Sequence, residues 1–282
     1  MIEHLVISSG GPHIIVQLGM LAEAIQTGII DQANIKTIHG CSSGSILGTF
    51  LCLGIPIQDI VDYVVNRTWK KCVHYDIHNF YVNKGILDNN WIYEMLLPFF
   101  KAYDIPLDIT MSELYQRTGI YFDILTTEVV EMKSIVLNHN TFPDLPIITA
   151  VKMSSAVPVV FPPVPYLDKL YIDGVCRRHC PMVEYPEDSV CIFSIDTSCH
   201  LIPKLEDVTD YFQYILMKSY RILTESECIP KGRHFSCANI PSVMDINLWR
   251  RTIEDSSYRA EMIEVGRCVV RKIEPITSSL SE

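Results

Sequence analysis

The stretch Ile35-Lys36-Thr37-Ile38-His39-Gly40-Cys41-Ser42-Ser43-Gly44-Ser45-Ile46-Leu47 joins a short apolar strand to an apolar helix through a turn of small residues. Gly40, Ser42 and Gly44 form the pattern Gly-x-Ser-x-Gly, which between a strand and a helix is typical of a nucleophile elbow. Glycines on both sides let the turn tighten and let the helix pass close to the strand. The pattern alone fits equally well a glycine-rich turn in which Ser42 only caps the helix.

The residues before this stretch predict a second strand beside the first. Residues 5–8 are an apolar run that stops at the turn Ser9-Gly10-Gly11-Pro12. Apolar residues then recur at helical spacing until Thr27-Gly28. A strand, a helix and a strand in this order make a βαβ unit, so we expect an α/β fold with a central, mostly parallel sheet flanked by helices.

The rest of the chain continues the alternation of strands and helices. Apolar spacing predicts helices at 46–53, 57–65, 91–100, 111–117, 145–155, 211–223 and 248–273, and strands at 120–126, 133–137, 170–172, 189–195 and 234–240. Residues 66–83 are expected to form a long irregular connection, and the four prolines between 158 and 165 are expected to prevent regular structure.

The apolar helix 91–100 is expected to pack in the core, with an apolar rim for an acyl chain or a bilayer surface as the alternative. We expect one domain over residues 1–275, followed by a polar tail, 276–282.

Composition narrows the classes of partner. The 282 residues carry a net charge of −10, which argues against nucleic acid as a ligand and against binding an anionic membrane mainly by charge. We expect no export signal, because residues 1–8 read as a strand, and no transmembrane segment, because no apolar run approaches the length of a span. The ten cysteines are therefore expected to be reduced, in a cytoplasmic protein. Cys176, His179 and Cys180 could suggest zinc, but no second Cys/His pair stands at ligand spacing, so no metal site is expected there. No cofactor is expected either.

A nucleophilic serine needs donors for an oxyanion and a base within hydrogen-bond reach. The backbone N–H groups of Gly10 and Gly11, in the turn after the first strand, and of Ser43, at the start of the elbow helix, are the candidate donors. The histidines that follow in the order typical of α/β-hydrolases are candidate bases, namely His179, His200 and His234. Asp173 is better placed, because it ends a strand and precedes Gly174.

Taken together and in this order, these residues resemble the patatin-like phospholipase family. Its glycine-rich loop, Gly-Gly-Gly-x-Arg-Gly, is similar to residues 9–14, and its Gly-x-Ser-x-Gly elbow matches residues 40–44. Its Ser-x-Ala-x-Pro-x-x-Phe-Pro-Pro-Val segment is similar to residues 154–164, and its Asp-Gly-Gly/Ala motif to residues 173–175. The resemblance implies a three-layer patatin-like fold and a lipid acyl hydrolase of the phospholipase A type, a carboxylic ester hydrolase acting peripherally at a membrane surface.

The resemblance also implies a role for each matched residue. Ser42 would attack the ester carbonyl, and Asp173 would take its proton directly, without a histidine. The N–H groups of Gly10 and Gly11, with that of Ser43, would hold the oxyanion, and water would release the fatty acid from the acyl-enzyme. The implied partner is a phospholipid or another acyl-ester lipid at a membrane surface; a protein partner is not implied.

This chain departs from the family's glycine-rich loop at three positions. Ser9 replaces the first glycine, His13 replaces the arginine and Ile14 replaces the last glycine. A fixed positive charge at the arginine position could hold a phosphate head group, and His13 could do so only when protonated. The alternatives are therefore a lysophospholipase, neutral-lipid esterase or acyl transferase using the same two residues, or a catalytically silent module that binds lipid or protein.

Overall fold

The computed structural model describes residues 1–72, 82–85, 87, 88, 90–195, 230–238 and 246–273. Within these ranges the chain forms one sheet of eight strands, which are β1 (His4–Ile7), β2 (Thr37–Cys41), β3 (Tyr121–Glu128), β4 (Lys133–Leu137), β5 (Val164–Tyr166), β6 (Lys169–Asp173), β7 (Val190–Ile195) and β8 (Arg233–Cys237). The helices are α1 (Ile14–Gln26), α2 (Ser43–Cys52), α3 (Ile57–Asn66), α4 (Asn90–Ala102), α5 (Met111–Thr118), α6 (Ile147–Ser154), α7 (Ile246–Glu254) and α8 (Ser256–Ile273).

The sheet is mostly parallel. Its strand order is β5-β6-β3-β2-β1-β7-β8, with β4 also paired to β3. The neighbours from β3 to β8 pair in parallel, whereas β4, β5 and β6 are joined by antiparallel pairing. The predicted α/β fold, a mostly parallel sheet flanked by helices, is thereby confirmed.

This topology brings the ends of three strands together. Ile7 of β1 is in register with Gly40 of β2, so the loops that follow these two parallel strands leave the same edge of the sheet. Cys41, the last residue of β2, is in register with Leu125 of β3. Asp173 ends β6 opposite the next residue of β3, Thr126. The residue after Cys41 therefore lies beside the end of β6.

The helices that flank the sheet are closely packed. Every residue of α2 is buried. Helix α8 crosses α1 at two glycines: a Cβ on Gly266 would lie 2.1 Å from the carbonyl oxygen of Val16, and a Cβ on Gly19 would lie 2.1 Å from that of Ile263. No side chain fits at this crossing. The domain boundary at residue 275 stays a prediction.

Two predicted elements need correction. The predicted helix 248–273 is two helices, because the Asp255 carboxylate accepts a 3.0 Å hydrogen bond from the Tyr258 N–H and begins a new helix there. The proline-rich segment, predicted to be irregular throughout, contains β5. Pro165 is tolerated there because β5 ends the strand path, where a missing N–H costs no ladder bond.

Two further predictions concern segments that are only partly described. The predicted helix 211–223 lies outside the described residues, and the predicted connection 66–83 is described only at its two ends. Among the helices that are described, none has both the length and the apolar character that crossing a membrane requires.

Candidate active site

Ser42 lies in a sharp turn between β2 and α2. Its backbone adopts φ 52° and ψ −118°, a conformation that L-residues rarely take. The flanking glycines make the turn sterically feasible: a Cβ on Gly44 would lie 2.1 Å from the carbonyl oxygen of Ile7, and one on Gly40 would lie 2.7 Å from the carbonyl oxygen of Gly44. The turn therefore has the backbone geometry expected of a nucleophile elbow.

The side chain of Ser42 meets that of Asp173. Ser42 Oγ donates a hydrogen bond of 2.5 Å to Asp173 Oδ2. The second carboxylate oxygen, Oδ1, accepts 2.8 Å from the N–H of Val175, and the Asp173 N–H donates 2.9 Å to the carbonyl oxygen of Ala156. Contacts on both sides of the residue therefore fix the carboxylate, and the sequence-predicted pair of Ser42 and Asp173 comes together.

The glycine after Asp173 allows this approach. A Cβ on Gly174 would lie 2.5 Å from the carbonyl oxygen of Leu125 and 2.9 Å from the Cys41 sulfur. Any larger residue would push the end of β6 away from the ends of β2 and β3.

Burial sets the chemistry of the Asp173 carboxyl. Its side chain is fully buried, and the loss of water raises its pKa to about 7, although the hydrogen bonds from Ser42 and from the Val175 N–H act to lower it. A carboxylate with such a pKa is a far stronger base than a solvated one and is still largely ionised at slightly alkaline pH.

The predicted oxyanion donors are grouped at the start of α2. Gly10 lies beside Ser43, since a Cβ on Gly10 would be 3.2 Å from Ser43 Oγ. Gly11 has φ 52°, in the left-handed region that favours glycine. In the part of the chain that the structure describes, the N–H groups of Gly10, Gly11 and Ser43 donate to no protein acceptor. The described part of the fold therefore leaves these three backbone N–H groups without an acceptor.

His13 does not carry the charge that a head-group contact would need. It is 2% exposed, and burial lowers its pKa to about 4. The ring is therefore neutral near pH 7. The head-group role remains a prediction, and this burial argues against it.

Two of the three candidate base histidines have partners other than Ser42. His179 Nδ1 pairs with Ser9 Oγ at 2.5 Å, and His234 Nε2 pairs with Ser194 Oγ at 2.6 Å. His200 lies outside the described residues. The group hydrogen-bonded to the Ser42 hydroxyl is a carboxylate.

Sequence patterns gave no role to two polar residues of the site, although one of them, Ser154, begins the matched segment 154–164. Ser154, at the end of α6, accepts 2.9 Å from the Ser42 N–H, and Gln17, fully buried in α1, accepts 2.8 Å from Ser43 Oγ. A glutamine on the apolar face of a helix was the available signal for Gln17.

Within the described ranges, no three His, Cys, Asp or Glu side chains form a cluster able to hold a metal ion.

Comparison with known proteins adds a family and a fold. The family model described as patatin-like phospholipase matches residues 5–184, a range that includes Ser42, Asp173 and the three candidate oxyanion donors. The probable lipid hydrolase 463L of Invertebrate iridescent virus 6 is 27% identical over 154 residues, which are 52% of each chain. The uncharacterized protein R571 of Acanthamoeba polyphaga mimivirus is 26% identical over 190 residues, 66% of this chain and 62% of that protein.

A solved structure shares the fold. VipD from Legionella pneumophila superposes with a TM-score of 0.51 at 15% identity, over 93% of this chain and 66% of that one. The chain spans about half to two thirds of the length of the relatives it matches.

Proposed function

Because the chain belongs to the patatin-like phospholipase family, we propose that it is a lipid acyl hydrolase with Ser42 as nucleophile and Asp173 as base. The observation that carries the proposal is the 2.5 Å hydrogen bond from Ser42 Oγ to a buried carboxylate whose pKa is raised to about 7. The name of the viral relative, probable lipid hydrolase, supports the same class of reaction.

Acylation follows from this pair of residues. Asp173 Oδ2 takes the hydroxyl proton as Ser42 Oγ bonds to the ester carbonyl carbon. The carbonyl oxygen becomes an oxyanion, which the N–H groups of Gly10, Gly11 and Ser43 stabilise. The tetrahedral intermediate then collapses: the bond to the leaving alcohol breaks, and Asp173 gives its proton to the alcohol oxygen. Ser42 is left as the fatty acyl ester.

Deacylation uses the same groups with water in place of the hydroxyl. Asp173 takes a proton from water, whose oxygen attacks the acyl carbon, and the same donors stabilise the second oxyanion. The proton returns to Ser42 Oγ as the fatty acid leaves. A single carboxylate acts as base and then as acid in each half-reaction, so its pKa must lie near the working pH.

The substrate class is proposed as phospholipid, with cleavage of the phospholipase A type. The family description supports phospholipid. The neutral His13 ring supports the alternative of a neutral lipid, because no fixed charge is provided at that position for a phosphate. A lysophospholipase or an acyl transferase that uses the same two residues is a further alternative, on which the charge of His13 does not bear.

A covalent probe tests the nucleophile. A fluorophosphonate is expected to label the wild-type chain at Ser42, to leave Ser42→Ala unlabelled and to label Asp173→Asn at least a hundredfold more slowly, by the ~10²–10⁴-fold that general-base catalysis contributes. Failure of the folded wild-type chain to label, while a known serine hydrolase labels in the same tube, would refute the enzyme and favour a silent lipid- or protein-binding module.

Fatty-acid release then tests the substrate. Phosphatidylcholine, lysophosphatidylcholine and triacylglycerol dispersions are offered separately to the wild-type chain and to Ser42→Ala. Release from phosphatidylcholine with accumulation of the lysolipid supports the phospholipase A assignment. Release from triacylglycerol alone contradicts it while leaving the nucleophile and base unchanged.

A further inference from the structure

Ser9, the residue before the oxyanion glycines, is bound twice by one residue from a distant part of the chain. Its N–H donates 3.0 Å to the carbonyl oxygen of His179, and its Oγ pairs with His179 Nδ1 at 2.5 Å. The two residues are 170 positions apart. His179 belongs to the segment that follows Asp173, so the loop after β1 and the segment after β6 are joined at this point.

The contact of the other ring nitrogen of His179 decides which nitrogen donates and which accepts a hydrogen bond. His179 Nε2 lies 3.0 Å from the carbonyl oxygen of Ile195, the last residue of β7. A carbonyl only accepts, so Nε2 carries the hydrogen and Nδ1 is left as the acceptor for the Ser9 hydroxyl. Ser9 is thereby attached, through the ring, to the end of β7.

The opposite side of the same loop is attached to the elbow helix. Gln17 Nε2 donates 2.8 Å to the carbonyl oxygen of Ser8, and Gln17 Oε1 accepts 2.8 Å from Ser43 Oγ. The loop is therefore held to β7 through His179 and to the start of α2 through Gln17.

Gly10 lies where these two attachments meet. A Cβ added to it would lie 3.0 Å from Ile195 Cγ1, 3.1 Å from Gln17 Oε1 and 3.2 Å from Ser43 Oγ. The residues that surround Gly10 are thus the ones that the hydrogen bonds hold. The direction of the Gly10 N–H therefore depends on Ile195, Gln17 and Ser43 keeping their positions.

We propose that His179 is a positioning residue that, through the hydroxyl of Ser9, holds the Gly10–Gly11 loop at the distance from Ser42 that oxyanion stabilisation requires. The proposal rests on the proposed function. It also gives a reason for a serine at the first position of the loop: a glycine there would keep the backbone bond to His179 but lose the bond to the ring.

The experiment compares variants that remove or keep the Ser9–ring bond. Ser9→Ala and His179→Leu remove it. His179→Asn keeps an acceptor, because an asparagine amide oxygen can occupy the position of Nδ1. The matched control is Ser194→Ala, which removes a Ser–His hydrogen bond of similar length, between Ser194 and His234 on β7 and β8. Each variant is assayed for kcat and KM on a soluble p-nitrophenyl ester, for the rate of fluorophosphonate labelling and for its melting temperature.

A loop displaced by a fraction of an ångström weakens transition-state stabilisation but not ground-state binding. Since losing one oxyanion donor outright costs ~10²–10³ in kcat, we expect Ser9→Ala and His179→Leu each to lower kcat and the labelling rate about tenfold. KM should change less than about twofold, and His179→Asn should recover most of the loss. The double variant Ser9→Ala/His179→Leu should be no slower than the slower single variant, because both changes remove the same bond.

Two results would overturn the proposal. One is wild-type kcat in both Ser9→Ala and His179→Leu; the other is an equal loss in Ser194→Ala, which would indicate a general effect of losing a Ser–His pair. If a variant melts earlier, the His179→Asn comparison at a temperature where all variants are folded decides between positioning and stability. Failure of the proposed function itself appears elsewhere, as absence of labelling and hydrolysis in the wild-type chain.

Discussion

The hydroxyl of Ser154 accepts a 2.9 Å hydrogen bond from the backbone N–H of Ser42, 112 positions earlier in the chain. The same hydroxyl donates 2.6 Å to the carbonyl oxygen of Leu125 in β3. Ser154 therefore joins the strained residue of the elbow to the sheet. A backbone in this region costs on the order of 1–3 kcal/mol and persists only where its surroundings hold it. The end of α6 supplies part of that support.

Replacing Ser154 with alanine should damage both the fold and the proposed nucleophile. Ser154→Ala leaves a buried N–H at Ser42 and a buried carbonyl at Leu125 without this partner, which should lower the free energy of unfolding by about 2–4 kcal/mol. Labelling of Ser42 by a fluorophosphonate should slow as the elbow relaxes. Ser155→Ala is the control, because the neighbouring hydroxyl is also buried but has no hydrogen-bond partner among the described residues. A Ser155→Ala loss equal to that of Ser154→Ala would contradict this account.

The pH dependence of activity should follow the Asp173 carboxyl. Only the ionised carboxyl can accept the Ser42 proton, so kcat/KM for a neutral ester should rise about tenfold per pH unit below the Asp173 pKa of about 7 and level off above it. The profile is measured from pH 5 to pH 9, with recovery of full activity after return to pH 8 as the check on integrity. A single inflection near pH 4 would mean that Asp173 titrates as a solvated carboxyl or is not the base.

Asp173 should also make the fold less stable as pH rises. Its pKa is raised on folding, so between about pH 4, where the unfolded carboxyl titrates, and about pH 7 the native state binds the proton more tightly and stability falls with rising pH. Asp173→Asn removes this loss and should be more stable than wild type at pH 8. The advantage should be ~1.4 kcal/mol for each pH unit that separates the folded pKa from the unfolded one, and it should disappear near pH 4.

Chemical denaturation at pH 4.5 and pH 8 measures this difference. Asp108→Asn, a change at an exposed carboxyl, is the control. Its difference from wild type in the free energy of unfolding should be the same at both pH values. An Asp173→Asn variant that is less stable than wild type at pH 8 would show that hydrogen bonds to the carboxylate outweigh its burial.

The parts of the site that sequence predicts are those set by local geometry. Gly40 and Gly44 indicate the elbow because a side chain at either position would overlap a backbone oxygen, so the pattern follows directly from the turn. Asp173 is predicted for a similar reason, since Gly174 is the residue that allows its strand to approach. Each of these two patterns spans only a few neighbouring residues, and each exists because a glycine is needed where two backbone segments touch.

The parts that sequence does not predict depend on side chains from distant segments. Ser154 and His179 make their contacts with residues 112 and 170 positions earlier in the chain. Ser154 begins the segment that is similar to the family's Ser-x-Ala-x-Pro pattern, but that pattern does not say that its hydroxyl binds the Ser42 N–H, and His179 stands in no local pattern. Their roles depend on where α6 ends and on how the segment after β6 crosses the end of β7. The charge state of His13 is hidden for the same reason, because it follows from burial by the folded chain.

Arg259 of α8 should be a main determinant of stability outside the site. The side chain is buried and donates hydrogen bonds of 2.8–3.2 Å to the carbonyl oxygens of Val65, Arg67, Thr252 and Ile253. These carbonyls lie at or beside the carboxyl ends of α3 and α7, where helices leave acceptors unsatisfied. One guanidinium therefore ends two helices and joins them to α8.

Arg259→Met keeps the volume but leaves these carbonyls without a donor, so the free energy of unfolding should fall by about 3 kcal/mol or more. Arg259→Lys should lie between methionine and wild type, because an ammonium cannot span carbonyls from two helices as a planar fork does. Arg250→Met, at an exposed position of α7, is the control and should change stability by less than about 0.5 kcal/mol. Denaturant unfolding of the three variants measures the order, and a lysine variant as stable as wild type would refute the bridging role of the guanidinium.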